Sequence, residues 1–249
     1  MVARSLIVAV MLLAPVAAIT QTSQDRERAR PHYRSGWQFM RLEAWDDAAK
    51  AFQRAIDIDP EFEDAYYSLG RANMGLKKYA DAIAAYTKSR DLYRAQAGRM
   101  FTNQQEAQRY RQDRLMELDE VLRSLQTGPQ TMRIQEQARR VQEQRRQIQQ
   151  YMERGANITV HNSVPAFVSL ALGSAYFRAG KLADAEREYK AAIDADPKTG
   201  EAHSNLAVVY FETERYADAE RALSAAEKAG FKVNPQLRQD IKDKARKGT

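Results

Sequence analysis

The 249 residues include no cysteine. That excludes a disulfide framework and a lipid-attachment cysteine behind the N-terminal apolar run, and it leaves packing alone to stabilise an exported chain. Histidine is nearly as scarce: His32, His161 and His203 are the only three, and no two stand at metal-ligand spacing. A zinc site would have to draw on scattered carboxylates. A G-x-S-x-G nucleophile motif and a glycine-rich phosphate loop are also missing. No catalytic residue, cofactor or metal is therefore expected, and the chain reads as something other than an enzyme. Neither sign of charge dominates, since 39 Lys and Arg stand against 33 Asp and Glu for a net +6. Apolar residues are not in short supply; at 44% of the chain they suffice for a core.

Long apolar runs are missing except at the very start. Residues 1–18 combine a short basic start at Arg4, an apolar stretch from Leu6 to Leu13, and small residues at Val16, Ala17 and Ala18. This is the pattern of a secretory signal peptide cut near Ala18. Pro15 interrupts the run, which falls short of the roughly 20 residues a membrane span needs. The expectation is an exported protein, periplasmic or secreted, with no spanning segment after cleavage; an uncleaved N-terminal anchor is the alternative. Residues 19–28 read as a linker.

What is present is a repeat. "PHYRSGWQFMRLEAWDDAAKAFQRAIDIDP" (31–60) aligns with "FVSLALGSAYFRAGKLADAEREYKAAIDADP" (167–197), and each is followed by a further copy 34 residues on. Small residues recur at Gly36, Gly70, Gly173 and Ala207, and again at Ala48, Ala82, Ala185 and Ala219. Large apolar residues recur at Phe52, Tyr86, Tyr189 and Leu223, and small ones close the register at Ala55, Ser89, Ala192 and Ala226. Each copy predicts two amphipathic helices, the first of copy three over Ala166 to Arg178 and the second over Leu182 to Asp194. Where two helices cross closely only Gly, Ala or Ser fits, and an aromatic ring fills the space beside them. Asp47, Asp81, Asp184 and Asp218 fall in the first turn of each second helix, where exposed amides favour a carboxylate.

These positions resemble the tetratricopeptide repeat family over residues 29–96 and 166–233. The resemblance implies an all-α fold: an α-solenoid of two pairs of helix-turn-helix repeats. Copy two departs from the pattern, with Asn73 in place of Phe39, Tyr176 or Tyr210 and Arg94 in place of the closing Pro60 or Pro197; copy four has Phe231 there. Without that proline the second helix of copy two is free to continue. Residues 234–249, with Leu237 and Ile241 one turn apart, read as a polar helix capping the last repeat.

Residues 97–165 are not repeat. They read as a helix from Asp91 to Gln126, a turn at Thr127-Gly128-Pro129, a second helix to Arg154 and an extended return to copy three, forming a long antiparallel hairpin that projects from the solenoid. Its expected coiled-coil-like seam sets Tyr110, Arg114, Leu118, Val121 and Leu125 against Ile134, Ala138, Val141, Arg145 and Ile148. That register puts Arg114 opposite Arg145, which demands water or a carboxylate, with Glu117 the nearest candidate. Twelve arginines and eight acids are interspersed from Arg94 to Arg154. Such mixing suits a solvated face rather than a phosphate-tracking stripe, so nucleic acid is not the expected partner. Self-association through the hairpin, giving a homo-oligomer, is an alternative role.

The family's first helices line a concave groove for a peptide. The resemblance assigns to it Tyr33, Trp37 and Met40, then Tyr67, Arg71 and Met74, then Leu170, Ser174 and Phe177, then Ser204, Val208 and Phe211. The Lys and Asn clamp that some members use for a terminal carboxylate is absent from this set. An aromatic and Met-rich surface implies an apolar or amphipathic protein segment as partner, and an adaptor or scaffold as function.

Overall fold

A computed structural model of the chain describes residues 16–97, 104–126, 132–153 and 164–247. Among these residues every regular element is a helix. Four pairs form the repeats: α1 (Val16–Arg41) with α2 (Trp45–Ile58), α3 (Glu63–Gly75) with α4 (Tyr79–Gln96), α7 (Ala166–Arg178) with α8 (Leu182–Ala195), and α9 (Gly200–Glu212) with α10 (Tyr216–Lys228). Between the second and third pairs lie α5 (Gln104–Gln126) and α6 (Met132–Glu153), and α11 (Pro235–Lys247) ends the array.

The small-residue positions mark where the helices of a pair cross. A Cβ on Gly36 would stand 2.5 Å from the Phe52 ring, one on Gly70 2.6 Å from Tyr86, and one on Gly173 2.7 Å from Tyr189. All are closer than carbon atoms approach, so the ring occupies the space the glycine leaves open. Copy four solves the same packing differently. The larger Ala207 and the smaller Leu223 are both buried there, which conserves volume.

Each pair is joined by the same turn. The N–H groups of Ala44, Lys78, Lys181 and Arg215 donate to the carbonyls of Phe39, Asn73, Tyr176 and Tyr210 at 2.8–3.0 Å. Inside each of these bonds a second one closes, from Glu43, Lys77, Gly180 and Glu214 to Met40, Met74, Phe177 and Phe211. This nested pair satisfies the carbonyls at the end of the first helix and requires a left-handed residue. Glu43, Lys77 and Glu214 adopt φ of 55–59°, and Gly180 has φ 73°. Only one copy in four carries the glycine that this conformation favours. Tertiary packing therefore imposes the turn on the other three.

The two pairs stack into one array despite the insertion. Helix α4 packs on α7, and Ala82 and Tyr86 share a core cluster with Leu172 and Ala175. Tyr67 meets Phe167 edge-on at 4.9 Å, and Arg90 Nη1 donates to the buried Glu188 at 2.7 Å. Farther along, Arg215 crosses from repeat 4 to Glu186 of repeat 3 at 2.9 Å. Burial pushes the Glu186 carboxyl up, but hydrogen bonds from Lys190 and Arg215 outweigh it and hold the group below its ordinary value. Val233 and Ile241 extend the last core cluster, and Leu237 packs against it.

Three expectations are corrected. Residues 19–28 are not a linker but the continuous N-terminal part of α1, with Pro31 inside the helix. The helix expected over Asp91–Gln126 is broken: α4 ends at Gln96, and Ala97 is extended at φ −63°, ψ 123°. Residue 98 is glycine, a poor helix former, which is the sequence-level reason for a break there. The break lets the insertion turn back. Helix α5 lies against α1 rather than projecting away, with α6 packed along α5. The signal residues 1–15, the turn at 127–129 and most of the extended return lie outside the described residues.

Candidate functional site

At the entry to α3 three carboxylates are buried: Asp59, Glu63 and Asp64, with Glu63 only 1% exposed. Buried acids at this density need paired cations. They receive them from elements outside the repeats. Arg26, on the N-terminal extension of α1, hydrogen-bonds Asp59 through Nε and Glu63 through Nη2 at 3.0 Å. The same guanidinium donates to the Glu61 carbonyl at 2.9 Å and lies 4.2 Å from the Phe62 ring centroid.

Asp64 is met from the insertion. Arg114 of α5 pairs with its Oδ2, while Tyr93 donates to its Oδ1. Arg114 also donates to the Tyr93 hydroxyl at 2.8 Å, closing a three-membered polar cluster. Tyr93 sits three residues from the end of α4, in the extra turn that Arg94 allows where proline would have stopped the helix. One turn on, Tyr110 of α5 donates to Gln96 at 3.2 Å. The missing proline of copy two thus builds the docking point for the insertion.

This geometry corrects the expected seam. Arg114 does not face Arg145: it reaches Asp64, whereas Arg145 Nε lies 2.7 Å from Asp119. Val121 packs against the cluster built from repeats 1 and 2. Ala107, Leu118 and Leu125 are buried, and on α6 Ala138, Val141 and Ile148 are half-buried. The Ile134 and Glu117 side chains lie outside the described residues.

The expected groove divides in two. Tyr33, Trp37 and Met40 are core, with Tyr33 3% and Trp37 4% exposed. Tyr33 packs on Phe62 at 4.8 Å and Trp37 meets Phe52 edge-on at 6.2 Å, so neither lines an open surface. Leu170 is likewise buried. The remaining set is half-buried: Tyr67, Arg71 and Met74 on α3, Ser174 and Phe177 on α7, and Ser204, Val208 and Phe211 on α9. Arg71 lies over the Trp37 ring at 4.9 Å, Ser174 donates to the Leu170 carbonyl at 2.9 Å, and Phe211 meets Tyr216 edge-on at 5.8 Å. Helices α3 and α9 both touch α7, so these residues stand on three neighbouring first helices. On repeats 3 and 4, Lys190, His203, Tyr210 and Asp218 line an open cleft, where Lys190 is bonded to Glu186 at 2.7 Å and His203 faces the Pro197 carbonyl at 3.1 Å.

Sequence reasoning missed Arg26, Asp59, Glu63, Asp64 and Tyr93. One signal was available: Glu63 stands where the other copies carry the small Ala29, Ala166 and Gly200. An acid at a position that packs small residues elsewhere demands a cation.

Family models of the tetratricopeptide repeat match residues 36–77, 63–95 and 170–231. The chain is a tetratricopeptide repeat protein. Among solved structures it is similar to a thermophilic TPR protein of Thermus thermophilus, at 21% identity over 87% of this chain and 98% of that one, with a TM-score of 0.36. It is also similar to PilW, a widely conserved type IV pilus biogenesis factor, at 14% identity over 87% and 86% of the two chains, with a TM-score of 0.40. A third likeness is to YrrB, a TPR protein with an unusual peptide-binding site, at 16% identity over 91% and 98%, with a TM-score of 0.30. No curated protein matches the chain.

Proposed function

We propose that this protein is an exported, non-enzymatic adaptor or assembly scaffold that holds an apolar or amphipathic protein segment along the first helices of repeats 2 to 4. The observation that supports the reading is that Tyr67, Arg71 and Met74, Phe177, and Val208 and Phe211 are half-buried on three neighbouring first helices, and we read them as one strip. Its side chains are half-buried: firm enough to present a shaped surface, open enough to lose further area to a ligand. Aromatic and methionine side chains of this kind are effective anchors for apolar partners. Export rests on the N-terminal signal pattern, whose cleavage near Ala18 leaves Arg26 and all four repeats in the mature chain.

Burial of Ala107, Leu118 and Leu125 within a single chain supports the adaptor over self-assembly. These three residues of the expected seam are no longer open to a second copy. The test is a crosslinking pull-down from the exported fraction with the mature chain and a Phe177→Ala/Phe211→Ala variant of unchanged helicity. A partner retained by the first and lost by the second is the expected result. Equal capture by both would remove the strip from the reading, and recovery of the protein alone would favour a self-assembling role.

A further inference from the structure

Helix α5 belongs to no repeat, yet it is seated on repeats 1 and 2 much as a bound helix would be. One of its faces is turned to the repeats, through Tyr110 to Gln96, Arg114 to Asp64 and Tyr93, and Val121 against the apolar cluster beneath, while α6 packs along it elsewhere. Met116, two residues past Arg114 and so on another face of the helix, touches Arg30 of α1 at 3.4 Å and remains 48% exposed. The spacing of 110, 114 and 121 is that of an amphipathic helix with one arginine in the middle of its buried stripe. Beneath it the receptor offers a buried carboxylate, a tyrosine hydroxyl and an apolar edge. The charge is complementary, and the carboxylate comes from the repeats while the cation comes from the insertion.

We propose that α5 is an intramolecular ligand of repeats 1 and 2, latched by Arg114 at Asp64 and Tyr93, and that this face opens to an amphipathic helix carrying an equivalent arginine. In the resting chain the covalent link gives α5 a high effective concentration, so a free helix competes poorly. Weakening the latch lowers that barrier and raises the apparent affinity for an outside helix, because the open state becomes more populated. The covering of repeats 1 and 2 by α5 then has a reason beyond packing. Its use in the cell rests on the adaptor reading, but its test does not, since that test reads the α5 seat and not the Phe177 and Phe211 strip.

The probe is a fluorescently labelled synthetic peptide of residues 104–126, titrated into the full mature chain and followed by anisotropy. The R114Q chain, checked for native helicity, is expected to bind it at least about tenfold more tightly than the wild-type chain. The same peptide carrying Arg114→Gln is expected to lose that gain, as is the native peptide against a chain with both R114Q and Asp64→Asn. Equal affinity of the wild-type and R114Q chains, or of the two peptides for the R114Q chain, overturns the proposal. Should R114Q fail to fold, the absence of native cysteine allows a second measurement. An Arg30→Cys/Met116→Cys chain, joined by a short bismaleimide, reports the closed state. Unlabelled peptide is expected to reduce the crosslinking yield, and a yield unchanged at saturating peptide overturns the proposal.

Discussion

Repeats 1 and 2 and repeats 3 and 4 share one fold, one turn and one helix crossing, but they differ in what covers them. The first pair buries Asp59, Glu63 and Asp64 beneath an N-terminal extension and an inserted helix. Among the described residues of the second pair the buried carboxylate is Glu188, and its partner Arg90 comes from the neighbouring repeat. Identical scaffolding is thus closed at one end by foreign elements and left open at the other. The repeat decides how helices stack, and the additions decide which face remains for a partner.

The sharpest way to break this asymmetry is Arg26→Ala. It leaves Asp59 and Glu63 buried without their guanidinium, and the expected loss of stability is about 3 kcal/mol. Urea denaturation measures the loss. Native-state amide exchange should place it in α1 to α3, while α7 to α9 change little; an even loss across both pairs would remove the distinction drawn here.

Gly173→Ala tests the crossing that both halves share. Its methyl group meets the Tyr189 ring, at an expected cost of about 2 kcal/mol. Adding Tyr189→Leu recreates the Ala207 and Leu223 combination of repeat 4 and should restore most of the stability, a non-additive effect that a double-mutant cycle reads. If the two losses simply add, volume exchange between the copies is not what relates them.

Tyr189 also gives the second pair an alkaline limit. Burial raises its hydroxyl to about 12 from the ordinary 10.0, against a smaller lowering from its bond with Ser174. The folded state therefore holds the proton more tightly than the unfolded one. Stability is full below pH 10 and declines as pH rises from there towards 12. Tyr189→Phe, which copies Phe52 of repeat 1, should flatten this decline in thermal melts taken across that range.

The smallest effect is expected at Ser89. Its hydroxyl is fully buried without a hydrogen-bond partner, where the other copies have Ala55, Ala192 and Ala226. Ser89→Ala should raise stability by about 0.5 kcal/mol in the same denaturation assay. A loss would mean that the hydroxyl has a partner.

Much of the fold was legible because a repeat states its rule several times. Glycine against ring appears in three copies, and alanine against leucine in the fourth. The first helix of copy three spans Ala166–Arg178 in both the pattern and the structure. The candidate site was less legible. A family register assigns Tyr33 and Trp37 to the groove because it counts positions along a helix, whereas their burial depends on what lies over that helix. Arg114 was legible only as a misfit in a thin seam. Its partner lies 50 residues away at the start of another helix, a pairing that no local periodicity encodes.

By itself, then, the sequence determined the 34-residue unit, the residues at each helix crossing and, in copy three, the stop of the first helix at its glycine, since these follow from local spacing, side-chain volume and turn chemistry. Tertiary structure decided that repeats 2 and 3 meet across the insertion, that α5 folds back onto α1, and that the first helix of repeat 1 is closed. Those outcomes depend on which distant surfaces can satisfy a buried carboxylate and an apolar stripe together. Charge and shape settle that only once the helices are stacked.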